Sequence, residues 1–280
     1  MKLKFTKMHG CGNDYIYFDC INNGEIKDPG KLSVTLSDRR FGIGGDGIIL
    51  ICPSKIADAK MRMFNMDSSE GKMCGNGIRC VGKYLFDNKI IDKNVIRIET
   101  LSGIKTLKIK EKNQKAELIT VDMGKAIFDP KEIPVNINKD KIINYPIKKG
   151  NTEYHINCVS MGNPHCVVFC EDVNNINIEK IGPFFENFEA FPEKINTEFI
   201  KVIDDKTLLM RVWERGSGET FACGTGACAA VVMAVESGYC KKNEDITVKL
   251  KGGDLLIKYT DDAVYMTGGA TKVFEGIIEV

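Results

Sequence analysis

The sequence predicts an α+β fold of two pseudo-symmetric halves, each a curved mixed β-sheet or barrel wrapped around a central helix. Three observations predict it. The same punctuation occurs twice along the chain, each copy holds a Cys-Gly-x-Gly element followed by a helical pattern, and strand-like runs rich in Val, Ile and Thr flank both helices.

The first copy begins at Gly12-Asn13, followed by the apolar strand-like run Tyr15 to Phe18. The second begins at Gly162-Asn163, followed by Cys166 to Phe169. Cys74 comes 61 residues after Asn13, and Cys223 comes 60 after Asn163. Other landmarks keep register. Glu70 and Glu219 stand four residues before their cysteines, and Asn65 and Glu214 nine before. Gly103 and Gly252 fall 29 after them, in expected turns between β-rich runs. Agreement at this many positions marks a duplicated unit with its seam near residues 118–125.

After Cys74-Gly75-Asn76-Gly77, the residues Ile78, Val81 and Leu85 recur at i, i+3 and i+7, which predicts an amphipathic helix. After Cys223-Gly224-Thr225-Gly226, the run from Ala227 to Val235 is apolar on all sides, which predicts a helix buried all round. Each cysteine is therefore expected at a helix N-terminus.

Composition bounds the rest. The chain has 280 residues, 43% hydrophobic and 28% charged, with a formal net charge of +1. No block of like charge gives it a footprint for nucleic acid or a membrane surface. The start, Met1-Lys2-Leu3-Lys4-Phe5, carries charge where a signal peptide needs an apolar core. The Ala227–Val235 run falls far short of the ~20 residues a membrane helix needs. The eleven cysteines are odd in number and scattered, unlike a secreted disulfide framework. Reduced thiols in the cytoplasm are expected, most of them packed as small hydrophobes.

Two of the cysteines invite a different reading. A helix N-terminus leaves backbone N–H groups unpaired and carries partial positive charge. A thiol there is expected to be lowered toward neutrality, and a carboxylate can be held against the same N–H groups without an arginine. Two such ends enclosing one cavity suit inversion at the α-carbon of an amino acid. Inversion removes a proton from one face and returns one to the other, so it needs two acid/base groups. The helix ends would stabilise the carbanion through its carboxylate.

Other chemistries fit less well. Cys158, His155, His165, Cys166 and Cys170 could make a zinc-stabilised binding module, but no Cys-x-x-Cys pair occurs and the spacings match no ordinary structural zinc site. Gly42-Ile43-Gly44-Gly45-Asp46-Gly47 has the spacing of a dinucleotide fingerprint. A strand-like run, Ile48 to Ile51, follows it where a helix is required, so a glycine turn lining a site is expected. A pyridoxal phosphate racemase would need a Schiff-base lysine, and no lysine here sits in a motif that demands one.

Taken together, the residues resemble diaminopimelate epimerase. The resemblance is carried by Lys7-Met8-His9-Gly10-Cys11-Gly12-Asn13-Asp14, Phe64-Asn65-Met66-Asp67, Met73 through Cys80, Ser160 through Cys166, and Trp213-Glu214-Arg215-Gly216 through Ala227. Proline racemases and phenazine-type isomerases share the duplicated fold but lack the Glu-Arg-Gly loop and the Gly-Asn-Asp start.

The resemblance implies interconversion of LL- and meso-diaminopimelate, a step toward lysine and cell-wall precursors, with no cofactor and no metal. A related two-thiol racemase or epimerase of different substrate is the alternative. Cys74 and Cys223 are then the acid/base pair, with His165 and Glu214 tuning the thiols. Gly75, Asn76, Gly224 and Thr225 would contact the reacting carboxylate, and Asn13 and Glu214 the reacting amino group. Asn65, Asn163, Asn196 and Arg215 would hold the distal centre. The resemblance also implies a homodimer and a last strand that returns to the first half. The halves are then residues 1–121 completed by 268–280, and residues 122–267. At two positions the family pattern is not followed: Gly47 stands where some members have Gln, and Cys11 where an aliphatic residue is usual.

Overall fold

The run Tyr15 to Phe18 lies inside the strand Asn13–Asp19, and all four of its side chains are buried. That strand is central. It pairs antiparallel with Lys2–Gly10, with Thr6 opposite Tyr17, and parallel with Gly47–Cys52, with Ile16 opposite Ile48. A computed structural model describes residues 2–280. It divides into two compact units, residues 2–121 with 267–280, and residues 122–266.

In the first unit the hairpin joining Lys2–Gly10 to Asn13–Asp19 turns on Cys11 (φ 52°) and Gly12 (φ 80°). Two consecutive positive φ values are what a two-residue primed hairpin requires. A β-branched residue would be strained at either position.

Beyond Gly47–Cys52 the sheet continues antiparallel to Ala59–Asn65, then parallel to Val95–Thr100, then antiparallel to Gly103–Lys112 and Lys115–Asp122. At the other edge, Thr271–Glu279 lies antiparallel on Lys2–Gly10. Each parallel step needs a crossover. The first is made through the helix Pro29–Ser37 and the second through Gly75–Asp87, whose Ile78, Val81 and Leu85 are fully buried.

The second unit repeats this order. Tyr145–Lys149, Thr152–Ser160 and Pro164–Phe169 pair antiparallel in turn, and Pro164–Phe169 pairs parallel with Asn196–Asp204. That crossover uses the helix Ile178–Glu186. Asn196–Asp204 pairs antiparallel with Thr207–Glu214, which pairs parallel with Asp245–Leu250 through the helix Gly224–Glu236. Every residue of that helix from Gly226 to Ala234 is buried, as its all-apolar sequence requires. Phe185, Phe199 and Trp213 anchor a second cluster on the Ile178–Glu186 helix. Each such buried aromatic contributes roughly 1.5–3 kcal/mol relative to exposure.

The duplication extends to single contacts. Arg62 Nε meets Glu70 Oε1 at 2.7 Å, and 149 residues later Arg211 Nε meets Glu219 Oε1 at 2.7 Å. Of the glycines expected in turns, Gly252 lies in one, whereas Gly103 (φ 88°) opens the strand Gly103–Lys112. No helix among the described residues is long and apolar enough to cross a membrane.

Candidate active site

Cys74 is the N-cap of the helix Gly75–Asp87, with extended backbone (φ −130°, ψ 120°), and its sulfur accepts the N–H of Gly77 at 3.3 Å. Cys223 is the N-cap of Gly224–Glu236 (φ −108°, ψ 113°), and its sulfur accepts the N–H of Gly226 at 3.3 Å. The same cap is thus built twice. It uses one of the N–H groups that a helix start leaves unpaired and puts the sulfur in the positive end of the helix field.

Around Cys74, the thiol donates to Asn13 Oδ1 at 3.2 Å. Asn13 is held in turn by Asp46 Oδ2 at 2.7 Å, and the Asp14 N–H donates to the same oxygen at 3.1 Å. Asp14 pairs with Lys7 at 2.5 Å and with Arg39 at 2.7 Å, while the Lys7 ammonium also donates to the Gly44 carbonyl. The glycine-rich turn over residues 42–47 therefore positions Asp46, and through it Asn13. The strand Gly47–Cys52 follows it, so the turn is no dinucleotide loop. Asn76 is 2% exposed, and its carboxamide oxygen accepts from Arg79 Nη2 at 2.9 Å. Asn65 sits at a strand end and donates to Ser69 Oγ at 3.0 Å.

Around Cys223, Thr225 Oγ1 lies 3.5 Å from the sulfur. Glu214 accepts the Thr220 hydroxyl. The Arg215 N–H donates to Asn196 Oδ1 at 3.0 Å, and Asn196 Nδ2 donates to the Pro164 carbonyl at 2.8 Å. The Arg215 guanidinium is exposed and gives one N–H to the Glu193 carbonyl at 2.8 Å. His165 Nε2 lies 2.9 Å from Asn163 Oδ1, and its Nδ1 lies 2.7 Å from Glu198 Oε1. Both ring nitrogens are therefore engaged away from the sulfur, and any influence of His165 on Cys223 is indirect.

The electrostatics correct one expectation. The helix end was expected to draw these thiols toward neutrality, but Cys223 is pushed well above the ordinary thiol range. Burial is the largest cause, and the carboxylates of Glu214 and Glu198 add to it. The Thr225 hydroxyl and the Gly226 N–H pull the other way and lose. In the first unit the Tyr15 hydroxyl is raised by burial and by the charges of Cys74 and Asp46, and it hydrogen-bonds Asn13 and Cys74.

The expected residues thus gather as two sets, each described within its own unit: Asn13, Cys74, Gly75 and Asn76 in one, and Asn163, His165, Asn196, Glu214, Arg215, Cys223, Gly224 and Thr225 in the other. Asn65 stands apart in its turn. Sequence reasoning missed Tyr15, Asp46, Arg79 and Glu198. Tyr15 could have been found by carrying the duplication from Asn13/Asn163 two residues on, where it matches His165. Glu198 is a charge inside the strand run Thr197 to Ile200, the kind of interruption that has to be explained. Of the zinc ligands considered above, Cys158 and Cys166 lie opposite each other in the ladder. Among the described residues no group of three or more His, Cys, Asp or Glu is placed to hold a metal ion, and His155 is exposed beside Glu153.

A family model described as diaminopimelate epimerase matches residues 5–128 and 157–273. A diaminopimelate epimerase of Methanococcus maripaludis is 54% identical, covering 99% of this chain and 100% of the relative. One from Acetivibrio thermocellus is 52% identical, covering 99% of each. Among solved structures, a phenazine biosynthesis protein of the PhzF family from Bacillus anthracis superposes with a TM-score of 0.73 at 16% identity, covering 100% of both chains. A hydroxyproline epimerase from Agrobacterium vitis does so with a TM-score of 0.70 at 14% identity, covering 99% of this chain and 91% of the other. At those identities the likeness is one of fold.

Proposed function

The chain belongs to the diaminopimelate epimerase family and interconverts LL- and meso-diaminopimelate in lysine biosynthesis, and from that premise we propose that Cys74 and Cys223 carry out the proton transfers. One thiolate takes the α-proton from one face of the substrate, and the other thiol returns a proton to the opposite face. At Cys74 an S–H bond forms as the α-C–H bond breaks, and at Cys223 an S–H bond breaks as the new C–H bond forms. The reverse reaction exchanges the roles.

The observation that carries this reading is the repeated cap. Both sulfurs accept the third helical N–H at 3.3 Å, and each sits beside a site asparagine or threonine. A protein that needs one acid and one base of similar reach is served by two copies of one device. The first N–H groups of the two helices, at Gly75, Asn76, Gly224 and Thr225, bind the reacting carboxylate and stabilise the charge that develops on it. Asn13 and Glu214 receive the reacting amino group. Asn65, Asn163, Asn196 and Arg215 hold the distal amino-acid centre, Arg215 as a charged donor to its carboxylate. His165 and Glu214 set the environment of the thiols.

No cofactor takes part in this scheme, because two thiols and two helix ends supply every proton and charge that it uses. The enzyme works in the cytoplasm as a homodimer. Val273 (55% exposed), Phe274 (45%) and Ile277 (70%) on the strand Thr271–Glu279 are the apolar surface offered for the second copy. Light scattering on the pure protein tests the dimer. Chiral chromatography of LL-diaminopimelate incubated with the pure protein, with Cys74→Ser and Cys223→Ser alongside, tests the thiols.

A further inference from the structure

Behind the two cysteines the duplicated scaffold carries unequal chemistry. Ile49 and Glu198 are 149 residues apart, the spacing that relates Cys74 to Cys223. The pairing agrees, since Tyr17 is opposite Ile49 and Val167 is opposite Glu198 in equivalent parallel ladders. Both side chains also press on the same point of their helix. A Cβ added at Gly77 would lie 2.6 Å from Ile49 Cδ1, and one added at Gly226 would lie 2.5 Å from Glu198 Oε1.

Glu198 is fully buried, and so is His165, whose Nδ1 it holds at 2.7 Å. Its other oxygen, Oε2, has no hydrogen-bond partner. A buried carboxylate with one oxygen unsatisfied costs stability, and the isoleucine at the equivalent position of the first unit shows that this scaffold does not need a charge there. A costly group that the fold could replace by an aliphatic one is retained for what it does to its neighbours.

Resting on the two-thiol reading above, we propose that Glu198 is a positioning residue for the half-reaction at Cys223. It fixes the His165 ring through Nδ1, 2.7 Å from its Oε1, and places its carboxylate against Gly226 in the first turn of the helix that Cys223 caps, so that it opposes loss of the Cys223 proton. The ladders put His165 on one neighbouring strand and Glu214 on the other on the same face of the sheet as Glu198, with Cys166 and Arg211 on the opposite face, and Cys223 begins the helix whose Gly226 meets Glu198. Cys158 lies across from Cys166. Arg211, on that opposite face, pairs with Glu219 at 2.7 Å.

The test uses the full-length enzyme without substrate. Iodoacetamide alkylation of Cys223 and Cys74 is followed by peptide mass spectrometry across pH, in the wild type and in Glu198→Gln. Removing the charge should speed alkylation of Cys223 at neutral pH by about tenfold, the change that one unit of thiol acidity produces. Cys74 in the same molecules should not change. In turnover, Glu198→Gln should lower kcat more than it alters KM. A Cys223 profile that stays in place in a folded variant overturns the proposal. Because the measurement omits substrate, it stands apart from whether Cys223 is catalytic, which the serine variants decide. If Glu198→Gln does not fold, nitrogen NMR of the three wild-type histidines gives the answer. His165 must carry its proton on Nδ1, and a bare Nδ1 overturns the proposal equally.

Discussion

Cys223 accepts the Gly226 N–H at 3.3 Å while Glu198 Oε1 stands against Gly226 from the other side. Glycine is therefore required at that point of the helix for reasons of space. Replacing an interior helical glycine by alanine ordinarily gains about 1 kcal/mol of helix propensity. Here the new methyl would lie 2.5 Å from Glu198 Oε1 and 3.1 Å from Met210 Cε, inside a packed core. Gly226→Ala should destabilise the protein by about 1–3 kcal/mol, read as a lowered denaturant midpoint. A variant as stable as the wild type would mean that the carboxylate moves freely.

The two-thiol mechanism predicts where solvent hydrogen goes. In deuterated water the wild type should place deuterium mainly in the newly formed epimer, with little in recovered substrate at early times. Cys223→Ser and Cys74→Ser should each lose net epimerisation by orders of magnitude, since a hydroxyl is a poor acid and base at neutral pH. Each should retain exchange on one face only, and on opposite epimers. Near-normal epimerisation by either variant would remove the opposed pair.

Arg215 is exposed, with one guanidinium N–H on the Glu193 carbonyl and the rest of its fork open to a ligand. Arg215→Ala should reduce kcat/KM for diaminopimelate by roughly 30-fold to several thousandfold, the loss of about 2–5 kcal/mol expected when a charged recognition pair is cut. The backbone contact to Asn196 should survive the change, so stability should barely move. Unchanged kcat/KM would take Arg215 out of substrate binding.

Asp14 gives the first unit an acid-sensitive anchor. Burial alone would raise its carboxyl, but hydrogen bonds from Arg39 and Lys7 outweigh that and hold it below its ordinary value. A carboxyl lowered in the folded state stabilises the fold above its unfolded pKa and loses that contribution as pH falls through the folded value. Asp14→Asn should therefore be less stable than the wild type at neutral pH. The gap should close as pH drops below about 4, where the unfolded carboxyl takes up its proton. Thermal unfolding across pH reads this directly, and a gap that is constant with pH would exclude the linkage.

The doubled punctuation at Asn13/Asn163, Asn65/Glu214 and Cys74/Cys223 was legible in the sequence because duplication preserves spacing, and spacing survives when neighbouring residues change. The helix Gly224–Glu236 was legible because a helix buried on every side must be apolar on every side. The caps were legible too, since Cys-Gly-x-Gly before a helical pattern is a local signal. What the sequence alone determined was thus the local and the periodic: two like units, and a cysteine at the start of each central helix.

Only the tertiary structure decided which groups lie behind each thiol. Tyr15 meets Cys74 across 59 residues, and Glu198 reaches the start of the Cys223 helix from a strand 25 residues away. No periodicity encodes such contacts, because they depend on strand register and on the space that Gly77 and Gly226 leave open. The acidity of Cys223 was misjudged for the same reason. A helix N-terminus is visible in sequence, but the burial and the two carboxylates that overrule it come from residues brought together by folding, and burial strengthens every charge near the sulfur.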